Sequence, residues 1–165
     1  MILLDTNVVS EPLCPAPDAR VTEWIDAQAL ETLFLSAITV AELRAGLALV
    51  PAGKRRAGLQ ESLETRVLPL FSGRVLPFDL GCTRACAELV ARARASGLAI
   101  ASADGYIAAI AVANGLTVAT QNTGPFEAAG AAVINPCRLD GWRPLVVVRV
   151  EGPGKLPRAV TSKSS

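Results

Sequence analysis

Four polar residues occupy positions where a parallel α/β sheet would bring side chains together. Asp5 ends an apolar run that predicts a buried strand, and Asn122 follows a later run of the same kind. Glu42 and Asp104 fall in the first turns of predicted helices. Sites in such sheets form outside the carboxyl ends of the strands, so these residues can meet at one edge. Three carboxylates there would repel one another unless a cation neutralised them, and oxygen ligands suit Mg²⁺ or Mn²⁺.

The chemistry available to this set is restricted by the absence of histidine from the whole chain. Ser-His-Asp and Cys-His catalysis and any ribonuclease mechanism based on a histidine pair are therefore excluded. Hydrolysis would have to use carboxylates and a metal ion. A divalent ion held by carboxylates can activate a water molecule and stabilise charge that develops on a phosphodiester, so phosphodiester hydrolysis is the predicted reaction.

Each of the four residues also has a purely structural interpretation. Asp5 and Asn122 are common turn residues. Glu42 lies three residues after Thr39, the spacing of a helix capping box, and the helix dipole favours an acid such as Asp104 in a first turn. Taken singly, each residue is explained better by local structure, so the prediction of a metal site depends on the whole set.

The elements between these residues alternate between strands and helices. Apolar runs predict strands at 1–5, 33–36, 74–78, 116–120 and 132–134. Helical spacing predicts helices at 18–29, from Thr39, from the polar stretch 51–56 through about Leu68, at 80–96 and at 102–113, with Gly115 as a helix stop. This order predicts an α/β fold of three layers, α/β/α, with a mainly parallel sheet of about five strands.

The bulk composition predicts one globular domain in the cytoplasm. The chain has 165 residues and 51% hydrophobic content, it has no apolar run of membrane-spanning length, and no basic leader precedes its first strand. Its four cysteines form no C-x-x-C pair, which argues against structural zinc. Cys82 and Cys86 are expected to be small core residues of one helix.

The C-terminal stretch differs from the rest of the chain. Residues 1–137 are assigned to the domain, and residues 138–165 to an extension with 6 Lys or Arg against 2 Asp or Glu. An extra strand is predicted near 145–150, followed by a disordered basic tail rich in Pro, Gly, Ser and Lys. An RNA-binding arm is the alternative interpretation of this extension.

Four segments together resemble the motifs of PIN-domain VapC toxins, with the best match to the FitB-like branch of that family. They are residues 1–11, 35–46, 103–111 and 116–123, and their order and spacing are those of the family. The resemblance covers residues 1 to about 137. It implies the PIN fold and a metal-dependent endoribonuclease, the toxin component of a VapBC-type toxin–antitoxin system, which hydrolyses RNA with a metal-activated water.

The resemblance also implies a role for particular residues. Asp5, Glu42 and Asp104 would be the acidic triad that binds Mg²⁺ or Mn²⁺, and Asn122 would stand at the fourth catalytic position. The residues implied to support them are Thr6, Asn7 and Thr120, of which the two threonines would offer hydroxyls to a site carboxylate or a bound water. The family often has Asp at the position of Asn122, so weaker metal affinity is expected here. Many members also carry an acid at the position of Pro125.

The partners implied by the family are an RNA substrate, a second copy of the chain in a homodimer, and an antitoxin of the VapB or FitA type. Contact with DNA would be indirect, through the antitoxin. Phosphate contacts are assigned to the basic residues Arg44, Lys54, Arg55 and Arg56. For the run 54–56, an ordinary solvated helix face is an equal alternative.

Three other functions are considered. A haloacid-dehalogenase-like phosphatase also has an Asp after its first strand, but it requires a second Asp at the position of Asn7. Nucleotide binding is disfavoured because no strand is followed by a glycine-rich phosphate loop. The remaining alternative is a non-catalytic PIN-like module that binds RNA or an antitoxin, with a metal site weakened at Asn122 and Pro125.

Overall fold

Five parallel strands form one sheet in the order β3-β2-β1-β4-β5 in a computed structural model, which describes residues 1–97 and 99–138. The strands are β1 (Ile2–Leu4), β2 (Leu33–Ser36), β3 (Val75–Leu76), β4 (Thr117–Ala119) and β5 (Val133–Ile134). β1 lies at the centre of the sheet, where Leu3 pairs with Phe34 on one side and with Val118 on the other. The five predicted strands and their parallel arrangement are confirmed, although several are shorter than predicted.

Seven α-helices within the described ranges connect and cover these strands. They are α1 (Thr6–Val9), α2 (Ala19–Ala27), α3 (Ala37–Leu49), α4 (Lys54–Ser62), α5 (Leu80–Ala95), α6 (Ser102–Ala113) and α7 (Thr123–Ala129). Short 3₁₀ turns lie at Glu11–Leu13, Leu30–Thr32 and Leu68–Phe71, and α4 continues into a π-helical turn at Leu63–Val67. Gly115 follows α6 with φ +64°, a left-handed conformation that stops the helix as predicted.

The sheet has an apolar core on each face, which confirms the three-layer arrangement. One core packs Leu4 and Leu35 against side chains of α1, α2, α3 and the π-helical turn. The other packs Leu3 and Val118 against α5, α6 and α7. Adjacent residues of β1 enter opposite cores because side chains alternate along a strand. Cys82 is buried in the second core and Cys86 packs against it, as expected for small core residues.

The structure corrects the predicted start of α3. Thr39 was predicted to cap this helix, but Ser36 does so, because its hydroxyl at the end of β2 accepts a hydrogen bond of 2.8 Å from the Thr39 backbone N–H. Thr39 is buried in the first turn instead, with its hydroxyl 2.8 Å from that of Ser36. Glu42 therefore lies one turn further into α3 than the capping box predicted, and the capping-box interpretation is wrong.

Two short helices were not predicted from the sequence. α1 has four residues and follows Asp5, whose carboxylate accepts from the Thr6 backbone N–H. α7 contains Gly124 and Pro125 in its first turn. Proline is tolerated there because the first N–H groups of a helix have no partner within the helix. Both helices begin where a strand of the central pair ends, so they shape the edge at which the polar residues lie.

No helix in residues 1–97 and 99–138 is long and apolar enough to cross a membrane. The predicted strand at 145–150 and the predicted basic tail lie outside the described residues, as do most of the other residues of the extension.

Candidate active site

The ends of the two central strands bring the site residues together. β1 and β4 are direct neighbours, with Leu4 paired to Ala119. Asp5 and Thr120 are the next residues along each strand, and the Asp5 backbone N–H donates to the Ala119 carbonyl at 3.0 Å. Residues separated by more than a hundred positions in sequence thus meet at the carboxyl edge of the sheet, where ligands of such sheets bind.

Asp5 is held by three hydrogen-bond donors. Its Oδ1 accepts from the Thr6 backbone N–H at 2.7 Å. Its Oδ2 accepts from Asn7 Nδ2 and from Thr120 Oγ1, both at 2.7 Å. A carboxylate offers about two acceptor positions on each oxygen, so Oδ2 is fully used while Oδ1 keeps one position free. Asp5 can therefore accept one further ligand without losing a present partner.

The electrostatics of Asp5 are those of a carboxylate inside an acidic cluster. The side chain is only 4% exposed, and burial raises its pKa above the ordinary value. The hydrogen bonds from Thr120 and Thr6 lower that pKa, whereas the charges of Asp104 and Glu42 raise it further. The three acids predicted to act together are thus close enough for their charges to interact.

Glu42 approaches the site from α3. Its Oε2 accepts a short hydrogen bond of 2.5 Å from the Thr6 hydroxyl, which links the second turn of α3 to the start of α1. Thr6 serves two acids at once, because its backbone N–H binds Asp5 and its hydroxyl binds Glu42. The sequence assigned Thr6 to support of the site, and its hydroxyl is directed at a site carboxylate.

Asp104 approaches from the first turn of α6 and is held less firmly. Burial raises its pKa above the ordinary value, and the charge of Glu42 raises it further. Its side chain is half-buried and makes no hydrogen bond or ion pair with the described part of the chain. A change of rotamer at Asp104 would therefore break no polar contact.

Asn122 occupies the edge of the site. It is exposed and precedes α7, and its side chain does not cap that helix. Its backbone N–H donates to Thr120 Oγ1 at 3.0 Å, so that the Thr120 hydroxyl, buried completely, contacts Asp5, Asn7 and Asn122. The Asn122 side chain thus has no part in this network.

The four basic residues predicted to contact phosphate are in different situations. Arg44 is engaged by Glu64, with Nε and a terminal nitrogen donating to the two carboxylate oxygens at 2.8 and 2.9 Å. Arg55 lines a cleft of about 350 Å³ together with Thr6 and Glu42, which places it beside the acidic cluster. Lys54 and Arg56 belong to the same turn of α4 but are not among the residues that line this cleft.

The sequence predicts that the oxygen atoms of Asp5, Glu42 and Asp104 bind a divalent ion. No group of three or more His, Cys, Asp or Glu side chains in residues 1–97 and 99–138 has its ligand atoms gathered to hold a metal ion. The chemistry of the set nevertheless fits Mg²⁺ or Mn²⁺, because all the donors are oxygen and a hard cation would stabilise the carboxylates of Asp5 and Asp104, whose pKa is raised by burial and by neighbouring acidic charge. The free position on Asp5 Oδ1 and the unpartnered carboxylate of Asp104 are available to such an ion.

Two residues beside the site were not singled out from the sequence. Glu11 and Gln121 are joined by a hydrogen bond of 3.0 Å from Gln121 Nε2 to Glu11 Oε2. Both fall within segments that resemble the family motifs, but they lie 110 positions apart. No periodicity or local spacing could pair them, because only the neighbouring positions of β1 and β4 bring them into contact.

Comparison with known proteins gives close relatives along most of the chain. The family model of the PIN domain matches residues 2–131. The plasmid stability protein StbB of Pseudomonas syringae pv. tomato is 67% identical over 136 residues, covering 82% of this chain and 98% of that protein. The VapC ribonuclease Y4jK of Sinorhizobium fredii is 60% identical over 144 residues, covering 87% and 99%. The toxin FitB of Neisseria gonorrhoeae is 56% identical over 136 residues, covering 82% and 98%.

The solved structures agree with these relatives. The crystal structure of FitAcB from Neisseria gonorrhoeae superposes with a TM-score of 0.82 at 55% identity, covering 84% of this chain and all of that chain. The structure of FitAB bound to the IR36 DNA fragment gives the same TM-score at 53% identity, covering 84% and 97%. This chain therefore belongs to the PIN-domain family, within the group that includes the VapC ribonuclease Y4jK and the toxin FitB.

Proposed function

We propose that this protein is a metal-dependent endoribonuclease and the toxin of a VapBC-type or FitAB-type toxin–antitoxin pair. The observation that carries the proposal is the proximity of Asp5, Glu42 and Asp104 at the carboxyl edge of the sheet, where burial and then the neighbouring acidic charges raise the pKa of Asp5 and Asp104. Such a cluster is costly for folding by itself, which supports a role in binding a cation. The relative named a VapC ribonuclease supports RNA as the substrate.

The three acids would hold Mg²⁺ or Mn²⁺ through their oxygen atoms. Bound there, the ion would supply positive charge that activates water and stabilises the phosphodiester as it is cleaved. Asp5 provides the fixed ligand, because three donors hold its carboxylate. The Thr6 hydroxyl fixes the position of the Glu42 carboxylate by a hydrogen bond. Asp104 has no such bond among the described residues, and its side chain would move to complete the three metal ligands. Asn122 takes the fourth catalytic position as a neutral residue.

Substrate binding is assigned to the cleft between α1, α3 and α4. Arg55 lines this cleft opposite an acidic site, and a guanidinium can bind a phosphate with two hydrogen bonds. Lys54 and Arg56 contribute longer-range attraction from the same turn. Arg44 is the weakest of the four assignments, because Glu64 already occupies its guanidinium.

The protein partners follow from the relatives. We infer that an antitoxin of the VapB or FitA type binds this chain, and that DNA is reached through that antitoxin, since a FitAB complex is known bound to a DNA fragment. A homodimer in the cytoplasm is the proposed state and location of the toxin.

The proposed activity is tested with purified protein that carries no antitoxin. Labelled RNAs are incubated in Mg²⁺ or Mn²⁺, with EDTA as a control and Asp104→Asn as the variant of the site. Glu127→Gln, on the exposed side of α7, is the matched control for removal of one carboxylate. We expect cleavage that leaves 5′-phosphate and 3′-hydroxyl ends, is lost in EDTA and in Asp104→Asn, and persists in Glu127→Gln.

Two outcomes would redirect the proposal. Cleavage that persists in EDTA would remove the metal from the mechanism. Absence of cleavage from a folded protein that binds RNA or a cognate antitoxin would favour the non-catalytic binding module. Calorimetric titration of Mn²⁺ into the wild type and Asp104→Asn distinguishes an intact metal site from a defective one without using activity.

A further inference from the structure

Asn7 is fixed at both ends of its side-chain amide. Its Nδ2 donates to Asp5 Oδ2 at 2.7 Å and to Thr120 Oγ1 at 3.1 Å. Its Oδ1 accepts from the backbone N–H of Gln121 at 3.1 Å. A reversed amide would direct its oxygen at the Asp5 carboxylate and its NH₂ at the Gln121 N–H, and both contacts would be repulsive. The Gln121 backbone N–H and the Asp5 carboxylate therefore select the same orientation of the Asn7 amide, and Gln121 holds the end that faces away from Asp5.

Gln121 is in turn anchored by its own side chain. Its Nε2 donates to Glu11 Oε2 at 3.0 Å and more weakly to the Asn7 backbone carbonyl at 3.5 Å. The backbone carbonyl of Gln121 accepts from Asn135 Nδ2 at 3.3 Å. Gln121 is thus held by Glu11 through its side chain and by Asn135 through its backbone carbonyl.

Both carboxylate oxygens of Glu11 accept hydrogen bonds. Its second oxygen, Oε1, accepts from the backbone N–H of Asp18 at 2.7 Å, which fixes the carboxylate between the start of α2 and Gln121. The ion pairs within the described part of the chain do not include Glu11. Its carboxylate is therefore used for hydrogen bonds of defined direction and not for charge pairing.

We propose that Glu11 and Gln121 are positioning residues for Asp5, acting through Asn7. Glu11 accepts from the Gln121 side chain, the Gln121 backbone N–H donates to the Asn7 oxygen, and the Asn7 NH₂ donates to Asp5 Oδ2, which leaves the unused acceptor position of the carboxylate on Oδ1. Outer partners of this kind align the ligands of metal sites, and their loss costs activity without removing a ligand. The inference rests on the proposed nuclease function for its catalytic consequence.

The direction of the Gln121–Glu11 hydrogen bond provides the test. Glu11→Leu removes the acceptor, and Gln121→Glu places two carboxylates together, so each single change breaks the bond. The double variant Glu11→Gln/Gln121→Glu restores it with the donor and acceptor exchanged, and its residue 11 still accepts from the Asp18 N–H. Glu127→Gln is the control for loss of a carboxylate elsewhere on the surface.

Three readouts are compared in these variants: kcat and KM for RNA cleavage, the NMR signals of the Asn7 side-chain amide, and the unfolding temperature. We expect each single variant to lower kcat by about tenfold with KM unchanged and to shift the Asn7 amide signals. The double variant should recover most of kcat and the wild-type signals, and Glu127→Gln should change neither.

The proposal is overturned if the single variants keep the wild-type kcat, or if they only lower the unfolding temperature while the Asn7 signals stay unchanged. A double variant no better than the single ones would also overturn it. If the wild type cleaves no RNA, the nuclease function fails, and the Asn7 signals alone decide whether Glu11 and Gln121 position this side chain.

Discussion

The two halves of the acidic site are built in different ways. The Asp5 half consists of Asp5, Asn7 and Thr120. Its side-chain hydrogen bonds join the ends of β1 and β4, and Asp5 is only 4% exposed. The Asp104 half consists of Glu42 and Asp104 on α3 and α6. There Glu42 has one side-chain partner, Thr6, and Asp104 has none among the described residues.

The difference shows how a fold can keep several like charges together. The Asp5 carboxylate is stabilised by donors that the sheet edge holds in place, so its position is set by the backbone of two central strands. Asp104 is on a helix surface and loses nothing by moving. Under the proposed function, Asp5 and Glu42 are held by hydrogen bonds, and the cluster would close on a cation by movement of Asp104 alone.

The largest contrast is expected when each aspartate is lengthened by one methylene. Asp5→Glu retains the charge but cannot retain the three hydrogen bonds in a buried position. We expect a loss of about 100-fold in kcat, because displacement by about 1 Å has effects of that size, and about 1–3 kcal/mol of lost stability from overpacking. Asp104→Glu breaks no hydrogen bond within the described part of the chain, so its cleavage rate should fall less than tenfold.

Cleavage kinetics and urea unfolding of the two variants measure this contrast. Asp104→Glu is the matched control for Asp5→Glu, because it makes the same chemical change in the same site. Equal losses in the two variants would contradict the distinction between a fixed half and an adjustable half.

The second prediction concerns the hydroxyl at the centre of the Asp5 half. Thr120→Val removes the hydroxyl that donates to Asp5 and accepts from Asn7 and Asn122 while it keeps the shape of the side chain. We expect about 1–3 kcal/mol of destabilisation from the unsatisfied groups and about a tenfold loss of kcat. Thr117→Val in the same strand is the control and should leave both unchanged. A Thr120→Val protein with wild-type rate and stability would show that Asp5 does not need this contact.

The sequence was sufficient for the fold and for the convergence of the acids. Apolar runs that stop at Asp5 and Thr120 mark strand ends, and the motif spacing placed Glu42 and Asp104 on helices that reach the same edge. The prediction of the helix cap failed at α3, where the last residue of a strand is also the cap of the following helix. Ser36 does this for α3, and its competition with Thr39 is not visible in the spacing of residues alone.

The connections between site residues were less accessible to prediction. The pairing of Arg44 with Glu64 depends on how α3 packs against the π-helical turn after α4, and that turn interrupts the helical repeat from which spacing is read. The contact of Glu11 with Gln121 depends on the order of strands in the sheet. Tertiary contacts of this kind leave no local pattern in the sequence. The sequence therefore indicated the acids of the site but not the contacts of Glu64, Glu11 and Gln121 with the residues around them.

A smaller effect is expected from the basic residues beside the Asp104 half. Arg55→Ala should raise the Kd for RNA by a few-fold and reduce the slope of log affinity against log salt by about 0.7, the value for one phosphate contact on a single strand. Arg44→Ala should have less effect, because Glu64 already engages that guanidinium. Binding of a catalytically inactive Asp104→Asn protein to RNA at several salt concentrations measures both. A larger salt effect for Arg44→Ala would reverse the assignment.

The smallest predicted effect is on stability, and it tests whether the Asp104 half is strained without a cation. The folded protein holds the Asp104 proton more tightly than the unfolded chain does, since burial and then the charge of Glu42 raise the pKa of this carboxyl. Its favourable contribution is therefore complete below about pH 4, the ordinary value in an unfolded chain, and is lost as the pH rises through the higher folded value.

In EDTA at pH 7.5, Asp104→Asn should consequently be more stable than the wild type, by less than about 0.5 kcal/mol because solvent screens a half-exposed side chain. The advantage should disappear below about pH 4, as the carboxyl becomes protonated in both the folded and the unfolded state. Saturating Mn²⁺ should reverse the order, because an ion that binds only the folded wild type stabilises it. Thermal unfolding under the three conditions, with Glu127→Gln as the control, decides the matter. An Asp104→Asn protein less stable than the wild type in EDTA at pH 7.5 would mean that the Asp104 carboxylate supports the fold and is not held there for a cation.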